Sequence, residues 1–472
     1  MRDYDREADA TRRPPLGTSA PTARRKARPI TTRNRFLDRE ILALALPALG
    51  ALAAEPVFLL ADTAMVGHLG PASLGALAIA STIIQTVLGL MIFLAYATTP
   101  RVARKLGEGN TPAAIGAGFD GIWLALLTSV LLLAAGLPLL QVPISWFNPA
   151  PEVAAGAHAY LAISWWGLPF MLTVIAATGL LRGLQDTKTP LYVAVGGFLA
   201  NIGLNAVFIY GLGMGVAGSA LGSVMAHAGM CSIYLVIAVR AARRHRAPIR
   251  PDWSGVLASA RTSGWLLMRN MSLRAAMIVL IVLATGLGTV QLAAIQIIQT
   301  LFNSLALVLD ALAIAGQAMI GLQLGYRNRE QVAAINRRLI QWGIGFGVLV
   351  GVVLAAVSPL IGFVFTSDPD VRSLLTPLVI VLAIGMPLAG YVFTLDGVLM
   401  GAEDARYLAF AQLAAFLGYC GILALIYTGW PTVTVLWACF GIGFVALRAI
   451  GLGFRVRNDG WIRRAEAVAE RS

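Results

Sequence analysis

The first long apolar stretch of the chain runs from residue 41 to residue 70 and reads ILALALPALGALAAEPVFLLADTAMVGHLG. A helix needs about 20 consecutive apolar residues to cross the hydrocarbon core of a bilayer. This stretch is long enough, and its only acidic residues are Glu55 and Asp62, with no Lys or Arg. We therefore predict a transmembrane helix that carries two carboxyl groups inside the membrane.

Eleven further apolar runs of similar length follow, and none shows the alternating pattern of a barrel strand. Hydrophobic residues make up 58% of the chain, charged residues 12%, and the mean hydropathy is +0.76. Since backbone in hydrocarbon must satisfy its own hydrogen bonds, we predict an all-α integral membrane protein with twelve transmembrane helices. Their expected starts lie near Ile41, Ala72, Ala113, Ala155, Pro190, Gly215, Ser263, Val290, Val332, Val371, Tyr407 and Thr432.

The net charge of +13 comes from basic residues in the amino-terminal tail and in every second loop. The intervening loops contain a single basic residue, Arg372. By the positive-inside rule, both termini are expected to be cytoplasmic, which requires an even number of spans. We expect a multi-pass protein of the plasma (inner) membrane, with the lipid bilayer and not a nucleic acid as the partner of its basic residues.

The chain also repeats itself with a constant offset of 218 residues. Gly167 and Pro169 match Gly385 and Pro387 at this offset, and three other segments share it. Each half contains six predicted spans, so both halves enter the membrane in the same orientation. This pattern predicts two six-helix lobes related by a pseudo-two-fold axis along the membrane normal, an arrangement typical of transporters.

The repeat and the loops divide the chain into five segments. They are a disordered basic cytoplasmic tail (1–38), an amino-terminal lobe (39–239), a basic cytoplasmic linker (240–262), a carboxy-terminal lobe (263–454) and a cytoplasmic tail (455–472). We expect a monomer, because one chain already supplies both bundles.

Ionisable side chains inside a membrane are costly and therefore candidates for function. Glu55 and Asp62 lie seven residues apart, about two helical turns, and should share a face of the first span. One hypothesis is a protonatable pair that loads and releases a cation. The alternative for Asp62 is a structural role in capping or tying helices near the membrane surface.

The second half contains two acids, Asp310 and Asp396, without acidic counterparts in the first half. This asymmetry suggests that the two lobes have different functions. Either the two acids face the substrate or the coupling ion, or they form a structural ion pair with Arg274 or Arg269 on the seventh span.

Amide side chains inside the spans have the same two interpretations. Asn201 and Asn205, four residues apart, could complete a site around Asp62 or only hydrogen-bond neighbouring helices. Gln296 and Gln299 on the eighth span are candidates for the carboxy-terminal cavity. The spacing of Gly343, Gly347 and Gly351, in contrast, is typical of closely packed helices.

The sequence contains no motif for catalysis or for ATP hydrolysis. It has no GxxxxGK[ST] P-loop, no dinucleotide fingerprint and no paired-histidine metal motif. Its three cysteines, Cys231, Cys420 and Cys439, all fall inside predicted spans, which excludes a disulfide framework or a zinc site. We therefore expect neither an enzyme nor a protein with a resident metal or cofactor.

Several motifs resemble those of the multidrug and toxic compound extrusion (MATE) family, and in particular its DNA-damage-inducible DinF branch. They are Leu46-Pro47 together with DTAMVGHLG at 62–70, LRGLQDT at 181–187, the segment 201–218 ending in GMGVAG, and Leu395-Asp396-Gly397 with Gly401. The resemblance covers essentially the whole chain beyond the tail.

The resemblance implies a two-lobe antiporter that expels amphipathic, often cationic compounds in exchange for H+ or Na+. In the DinF branch, an aspartate matching Asp62 works with an asparagine matching Asn201 and an acid at the position of Asn205. Because this chain lacks the second acid, we favour H+ as its coupling ion. Asp310 and Asp396 resemble acidic positions where another branch places its cation site.

Two other classes of function remain open. A lipid-linked oligosaccharide flippase of the same superfamily would move a membrane-bound precursor, but it often has extra spans and several arginines in its cavity. A scaffold or receptor that transports nothing is the other alternative, against which the duplication and the placed acids argue. The leading hypothesis is an exporter of small molecules.

Overall fold

The computed structural model describes residues 30–458 and 460–469, and this part of the chain is helical without strands. Eleven helices are each long and apolar enough to cross a membrane, and a pair bent by 52° at Gly167 supplies a twelfth. In chain order, α1 to α12 are Ile30–Gly67, Pro71–Gly107, Thr111–Leu139, Pro151–Trp166 with Leu168–Gly183, Lys188–Gly211, Gly215–His245, Trp253–Leu287, Thr289–Gly325, Arg329–Phe365, Pro369–Gly401, Ala405–Tyr427 and Val433–Arg457. The predicted all-α fold with twelve membrane helices is confirmed.

Two helices begin about ten residues before their predicted starts. Helix α1 begins at Ile30 instead of Ile41, and α7 begins at Trp253 instead of Ser263. The hydropathy of a sequence marks only the part of a helix that lies in hydrocarbon, whereas the hydrogen bonds of a helix are internal and continue into water. The side chain of Asp252 caps α7 by accepting a hydrogen bond from a backbone N–H of its first turn.

The connection between the halves is therefore shorter than the predicted linker 240–262. Helix α6 ends at His245, and only residues 246–252 lie outside helices. This short segment is held against α3, because the indole Nε1 of Trp123 donates a hydrogen bond to the carbonyl of Ile249 at 3.0 Å.

Both tail segments contain helical residues. The carboxy-terminal segment 455–472 includes a helix over Gly460–Ala469, named α13. Of the predicted disordered tail 1–38, residues 30–38 belong to α1. Residues 1–29 lie outside the described part of the chain, and the prediction for them stays a prediction.

Helices α1 to α6 form the amino-terminal lobe and α7 to α12 the carboxy-terminal lobe, and the lobes meet closely where α2 and α8 end beside basic loops. A β-carbon added to Gly107 would lie 2.1 Å from the carbonyl oxygen of Leu322, and one added to Gly325 would lie 2.2 Å from that of Arg104. Only glycine fits such a contact, since any other residue would overlap the facing backbone. The two helices therefore touch backbone to backbone at this end.

Polar side chains tie the lobes together at the same face. Asp38 of α1 accepts two hydrogen bonds from the guanidinium of Arg338 of α9, at 2.6 and 2.7 Å, and one from the indole of Trp342 at 2.8 Å. Gln185 donates to the carbonyl of Ala318 of α8 at 3.0 Å. The lobes are thus closed together at the face that carries the basic loops.

Helix α13 lies across this closed face. The buried guanidinium of Arg104, at the end of α2, donates to the carbonyl oxygen of Ala465. Trp461 of α13 is buried. Beside them, Arg455 donates to the carboxylate of Asp404 at 2.7 Å, which joins the end of α12 to the turn before α11. Arg464 of α13 forms an ion pair with the same carboxylate at 3.0 Å, so α13 is bonded to both lobes.

Within the carboxy-terminal lobe, three glycines of α9 lie directly on the backbone of α10. A β-carbon would come within 2.5 Å of a carbonyl oxygen at Gly343, 2.4 Å at Gly347 and 2.6 Å at Gly351. Helices pack in hydrocarbon by close fit, which small residues at this spacing allow. The prediction that these glycines are packing positions is confirmed.

We expect Gly347→Ala to lower the thermal stability of the detergent-solubilised protein and Gly345→Ala to leave it unchanged. The added carbon at position 347 forces α9 and α10 apart, and overpacking of this kind costs about 1–3 kcal/mol. A β-carbon at position 345 meets nothing within 4 Å. The midpoint for heat-induced loss of the size-exclusion peak compares the two variants, and equal midpoints would contradict the backbone contact.

Candidate functional site

The structure brings Asp62 together with Asn201 and Asn205. The side chain of Asp62 is only 1% exposed, and its Oδ1 accepts hydrogen bonds from Asn205 Nδ2 at 2.8 Å and from Ser219 Oγ at 2.5 Å. Asn201 Nδ2 in turn donates to Ser223 Oγ at 3.2 Å. We refer to these five residues, which join α1, α5 and α6, as the Asp62 cluster.

Helix geometry explains why the cluster assembles. Asn201 and Asn205 are one turn apart on α5, and Asn205 Nδ2 also donates to Asn201 Oδ1 at 3.2 Å. Gly222 of α6 makes room for them, since a β-carbon there would lie 2.1 Å from Asn205 Oδ1. The small residue lets α6 approach the amide closely, so that its two serines reach the same site.

One oxygen of the Asp62 carboxyl group, Oδ2, is buried and has no hydrogen-bond partner among the described residues. The donors that reach Asp62 are an amide and a hydroxyl, both neutral, and both act on Oδ1. A buried polar atom without a partner is costly, so an unpaired carboxylate oxygen needs a chemical explanation. A proton carried on Oδ2 would remove the charge from this apolar site.

Glu55 has no hydrogen bond to the Asp62 cluster, and the hypothesis that the two carboxyl groups act as a protonatable pair stays a prediction. Glu55 Oε1 accepts a hydrogen bond from Gln85 Nε2 of α2 at 3.1 Å. Seven residues rise about 10 Å along a helix, too far for two carboxyl groups on the same face to touch. Glu55 instead lines a cavity in the amino-terminal lobe.

This amino-terminal cavity has a volume of about 190 Å³. Besides Glu55, its polar lining includes Tyr96, Arg182, His227 and Tyr234. Arg182 is 7% exposed and makes no hydrogen bond or ion pair with the described residues. The cavity therefore combines one carboxyl group with one unpaired guanidinium.

In the carboxy-terminal lobe, Asp396 forms an ion pair with two arginines. Arg269 Nη2 donates to Asp396 Oδ2 at 2.8 Å, and Arg448 Nη2 donates to the same oxygen. Of the two partners considered from the sequence for Asp396, Arg269 is the one in contact and Arg274 is not. Sequence reasoning missed Arg448, although an arginine inside the last apolar run was the available signal. We call Arg269, Asp396 and Arg448 the arginine–aspartate triad.

Asp310 lines a second cavity, of about 360 Å³, together with Arg274 and the triad. Its side chain makes no hydrogen bond with the described residues, and Arg269, Asp396 and Arg448 line the same cavity. We call this the carboxy-terminal cavity. Asp310 is thus a carboxyl group that faces open space.

The two glutamines of α8 are not part of either cavity. Gln296 is exposed, whereas Gln299 is 7% exposed and its Nε2 has no hydrogen-bond partner among the described residues. The structure therefore gives no contact between them and the charged groups of the carboxy-terminal cavity.

The two cavities meet at α2. Ile92 and Tyr96 line both of them, and α2 is interrupted at Ile92 between segments Pro71–Met91 and Phe93–Gly107. The charges of Arg182 in one cavity and Asp310 in the other act on each other. The charged linings of the lobes are therefore electrostatically connected across the lobe boundary.

A family model, MatE, matches the chain twice, over residues 47–207 and 266–426. The second match begins 219 residues after the first (266 − 47), close to the offset of 218 within the sequence. Each match thus covers most of one lobe, and the two matches together cover more than half of the chain.

Relatives and solved structures agree with this match. The chain is 28% identical to Protein DETOXIFICATION 43 of Arabidopsis thaliana, over 88% of this chain and 91% of the relative. It is also 28% identical to the DNA damage-inducible protein F of Escherichia coli, over 88% of this chain and 91% of that protein. Its fold is similar to that of the Vibrio cholerae MATE transporter VcmN in the bent form, with a TM-score of 0.84 at 18% identity, covering 92% of this chain and 99% of that one.

The fold, the duplicated family match and the relatives together favour the exporter hypothesis over the flippase and the scaffold. The chain belongs to the MATE family of multidrug and toxic compound efflux transporters, which are multi-pass membrane proteins and not enzymes.

Proposed function

We propose that this transporter is an antiporter that exports amphipathic small molecules in exchange for protons bound at Asp62. The observation that carries the proposal is the buried Asp62 carboxyl group, which has one fully bonded oxygen and one oxygen without a partner. Ionisable residues buried in a membrane protein typically mark proton or ion pathways.

The hydrogen-bond pattern supports H+ over Na+ as the coupling ion. Hard metal cations need several oxygen atoms aimed at one point. Here Asn205 and Ser219 direct hydrogens, not lone pairs, at the carboxyl group. A proton needs only the free oxygen Oδ2, whereas a sodium ion would require the amide and the hydroxyl to turn around. The absence of an acid at Asn205 points the same way.

A change at Asp62 would reach the amino-terminal cavity through α6, which contributes residues to both. Ser223 of the Asp62 cluster lies one turn from His227, and His227 Nδ1 is 2.8 Å from the Ser223 carbonyl oxygen. The His227 ring packs edge-on against Phe58 of α1, with ring centres 6.2 Å apart. A proton on Asp62 weakens its bonds to α5 and α6, and the resulting shift of α6 changes the cavity wall.

Alternating access would open the face where the lobes now meet. Backbone contact between α2 and α8 and the ion pair of Asp38 with Arg338 hold this face closed. If the basic loops lie in the cytoplasm, as the positive-inside rule predicts, the closed face is the cytoplasmic one. Substrate loading from the cytoplasm would then require these contacts to separate.

Asp62→Asn should reduce proton-driven efflux about tenfold or more, because the amide cannot carry the coupling proton. Efflux of a fluorescent substrate from proteoliposomes under an imposed proton gradient, and separately under a sodium gradient, measures the effect. Glu55→Gln is the matched control on the same helix, and we expect it to keep gradient-driven transport. Sodium-driven efflux that survives in Asp62→Asn would overturn the proposal.

A disulfide between α2 and α8 should stop transport reversibly. A β-carbon on Gly321 would lie 3.1 Å from that of Ala103, near the spacing of about 3.5–4.5 Å found in disulfides. In a background with Cys231, Cys420 and Cys439 replaced by alanine, we expect Ala103→Cys with Gly321→Cys to crosslink under oxidant and lose efflux.

Reduction of the disulfide should restore efflux, and each single-cysteine variant should be insensitive to oxidant. A gel shift after cleavage in the 246–252 connection reports the fraction crosslinked. A fully crosslinked protein that still transports at the uncrosslinked rate would show that this face does not open during the cycle.

A further inference from the structure

The carboxy-terminal cavity carries an excess of positive charge. Three guanidinium groups line it, those of Arg269, Arg274 and Arg448, against two carboxyl groups, those of Asp310 and Asp396. Arg182, in the adjoining cavity, acts on Asp310 as well. The electrostatics of this cavity are therefore opposite to those expected for a site that selects organic cations.

The arginine–aspartate triad leaves one of its positive charges uncompensated. Both arginines bind a single oxygen, Asp396 Oδ2, and both are 7% exposed. The Nε atoms of Arg269 and Arg448 are buried and have no hydrogen-bond partner among the described residues. Buried guanidiniums normally find partners for most of their five donors. Arg269 also donates from Nη1 to Asn270 Oδ1 at 3.0 Å, so the described residues satisfy only part of the donor capacity of the two guanidiniums.

Arg274 is the third guanidinium, and it is free to meet a ligand. It is exposed and forms no ion pair within the described chain. A β-carbon on Gly89 of α2 would lie 2.8 Å from its Nη2. Glycine at that position therefore makes room for the guanidinium at the boundary of the two lobes.

The same cavity has an aromatic wall. Phe302, Phe393, Phe440 and Phe444 line it, and the guanidinium of Arg448 lies 6.0 Å from the ring centres of Phe393 and Phe444. At about 360 Å³ it falls within the volume range of roughly 300–1,000 Å³ typical of small-molecule sites. The wall suits a flat apolar body, and the guanidiniums suit an acidic group attached to it.

We propose that the carboxy-terminal cavity binds soluble aromatic anions, whose carboxylate or sulfonate group is held by Arg274 and the triad. The proposal specifies the substrate class of the exporter described above and rests on that function. It departs from the cationic substrates that the family resemblance implies. Guanidinium is the side-chain group best suited to paired hydrogen bonds with a carboxylate.

Two dyes with the same xanthene core and opposite charge test the proposal: fluorescein, an anion, and rhodamine 123, a cation. Equilibrium binding to the purified protein in nanodiscs is measured by fluorescence anisotropy without any ion gradient. We expect fluorescein to bind more tightly than rhodamine 123. Arg274→Gln should weaken fluorescein binding about tenfold, whereas Arg261→Gln, an exposed arginine of the same helix outside the cavity, should change nothing.

Asp310→Asn should change fluorescein affinity in the opposite direction to Arg274→Gln. It removes a negative charge from the cavity, so fluorescein should bind more tightly. Tighter binding of rhodamine 123 than of fluorescein in the wild type would overturn the proposal. So would an unchanged affinity for fluorescein in both cavity variants. Because binding is measured without a gradient, these outcomes are independent of whether Asp62 couples transport to protons.

The acidic group could also belong to a lipid headgroup, as in a flippase. Short-chain phosphatidic acid, below its critical micelle concentration, distinguishes the two sources by competition with bound fluorescein. We expect no displacement, because the aromatic wall fits a planar body and not two acyl chains. Displacement of fluorescein by phosphatidic acid would assign the bound acidic group to a lipid headgroup. It would overturn the proposal of a soluble aromatic substrate.

Discussion

The hydrocarbon core of a bilayer offers the protein backbone no hydrogen-bonding partner, and the structure depends on that constraint throughout. It forces the chain into helices, whose backbone N–H and C=O groups bond to each other within the helix. It also removes the hydrophobic force between helices, so that they associate by close fit, as α9 does on α10 through Gly347. Polar side chains in hydrocarbon are costly unless they are hydrogen-bonded, so they tend to pair with one another. The result is a few buried clusters in an apolar bundle, and two of them, around Asp62 and Asp396, contain the acids predicted from the sequence.

The sequence predicted what depends on local pattern and failed where distance in three dimensions decides. Twelve spans, the duplication and the shared face of Asn201 and Asn205 follow from hydropathy, offset and helical spacing, whereas the family resemblance implied that these residues meet Asp62. Helical spacing placed Glu55 and Asp62 on one face but could not show which neighbours each would meet, and Glu55 meets Gln85 of α2. Ser219 was missed because serine is ordinary in membrane helices, and only the fold of α6 against α5 shows that it binds Asp62. Helix ends were misplaced where charged residues continue a helix into water.

The two lobes share a fold but differ in the chemistry of their interiors. The amino-terminal lobe surrounds one carboxyl group with neutral amides and hydroxyls, a setting in which a single proton changes the charge of the whole cluster. The carboxy-terminal lobe holds Asp396 between two guanidiniums, so that two basic groups share one acid. One duplicated scaffold thus provides one site built around a single acid with neutral partners and another with an excess of basic groups. Under the two proposals above, coupling and substrate binding would occupy separate lobes.

Separate sites require a mechanical connection, and α1 provides one. Near one end of α1, Asp62 binds α5 and α6 of its own lobe, and near the other end Asp38 binds Arg338 and Trp342 of the opposite lobe. Between these two points lie Pro47 and Pro56. Each proline lacks the N–H of a helical hydrogen bond, which makes the helix easier to bend at those positions. Asp62, the proposed proton site, and Asp38, which binds the opposite lobe, are on one helix with two prolines between them. If Asp62 carries the coupling proton, a change in its charge can be relieved by bending α1. Bending moves Asp38 relative to α9, and the closed face loses one of its ion pairs.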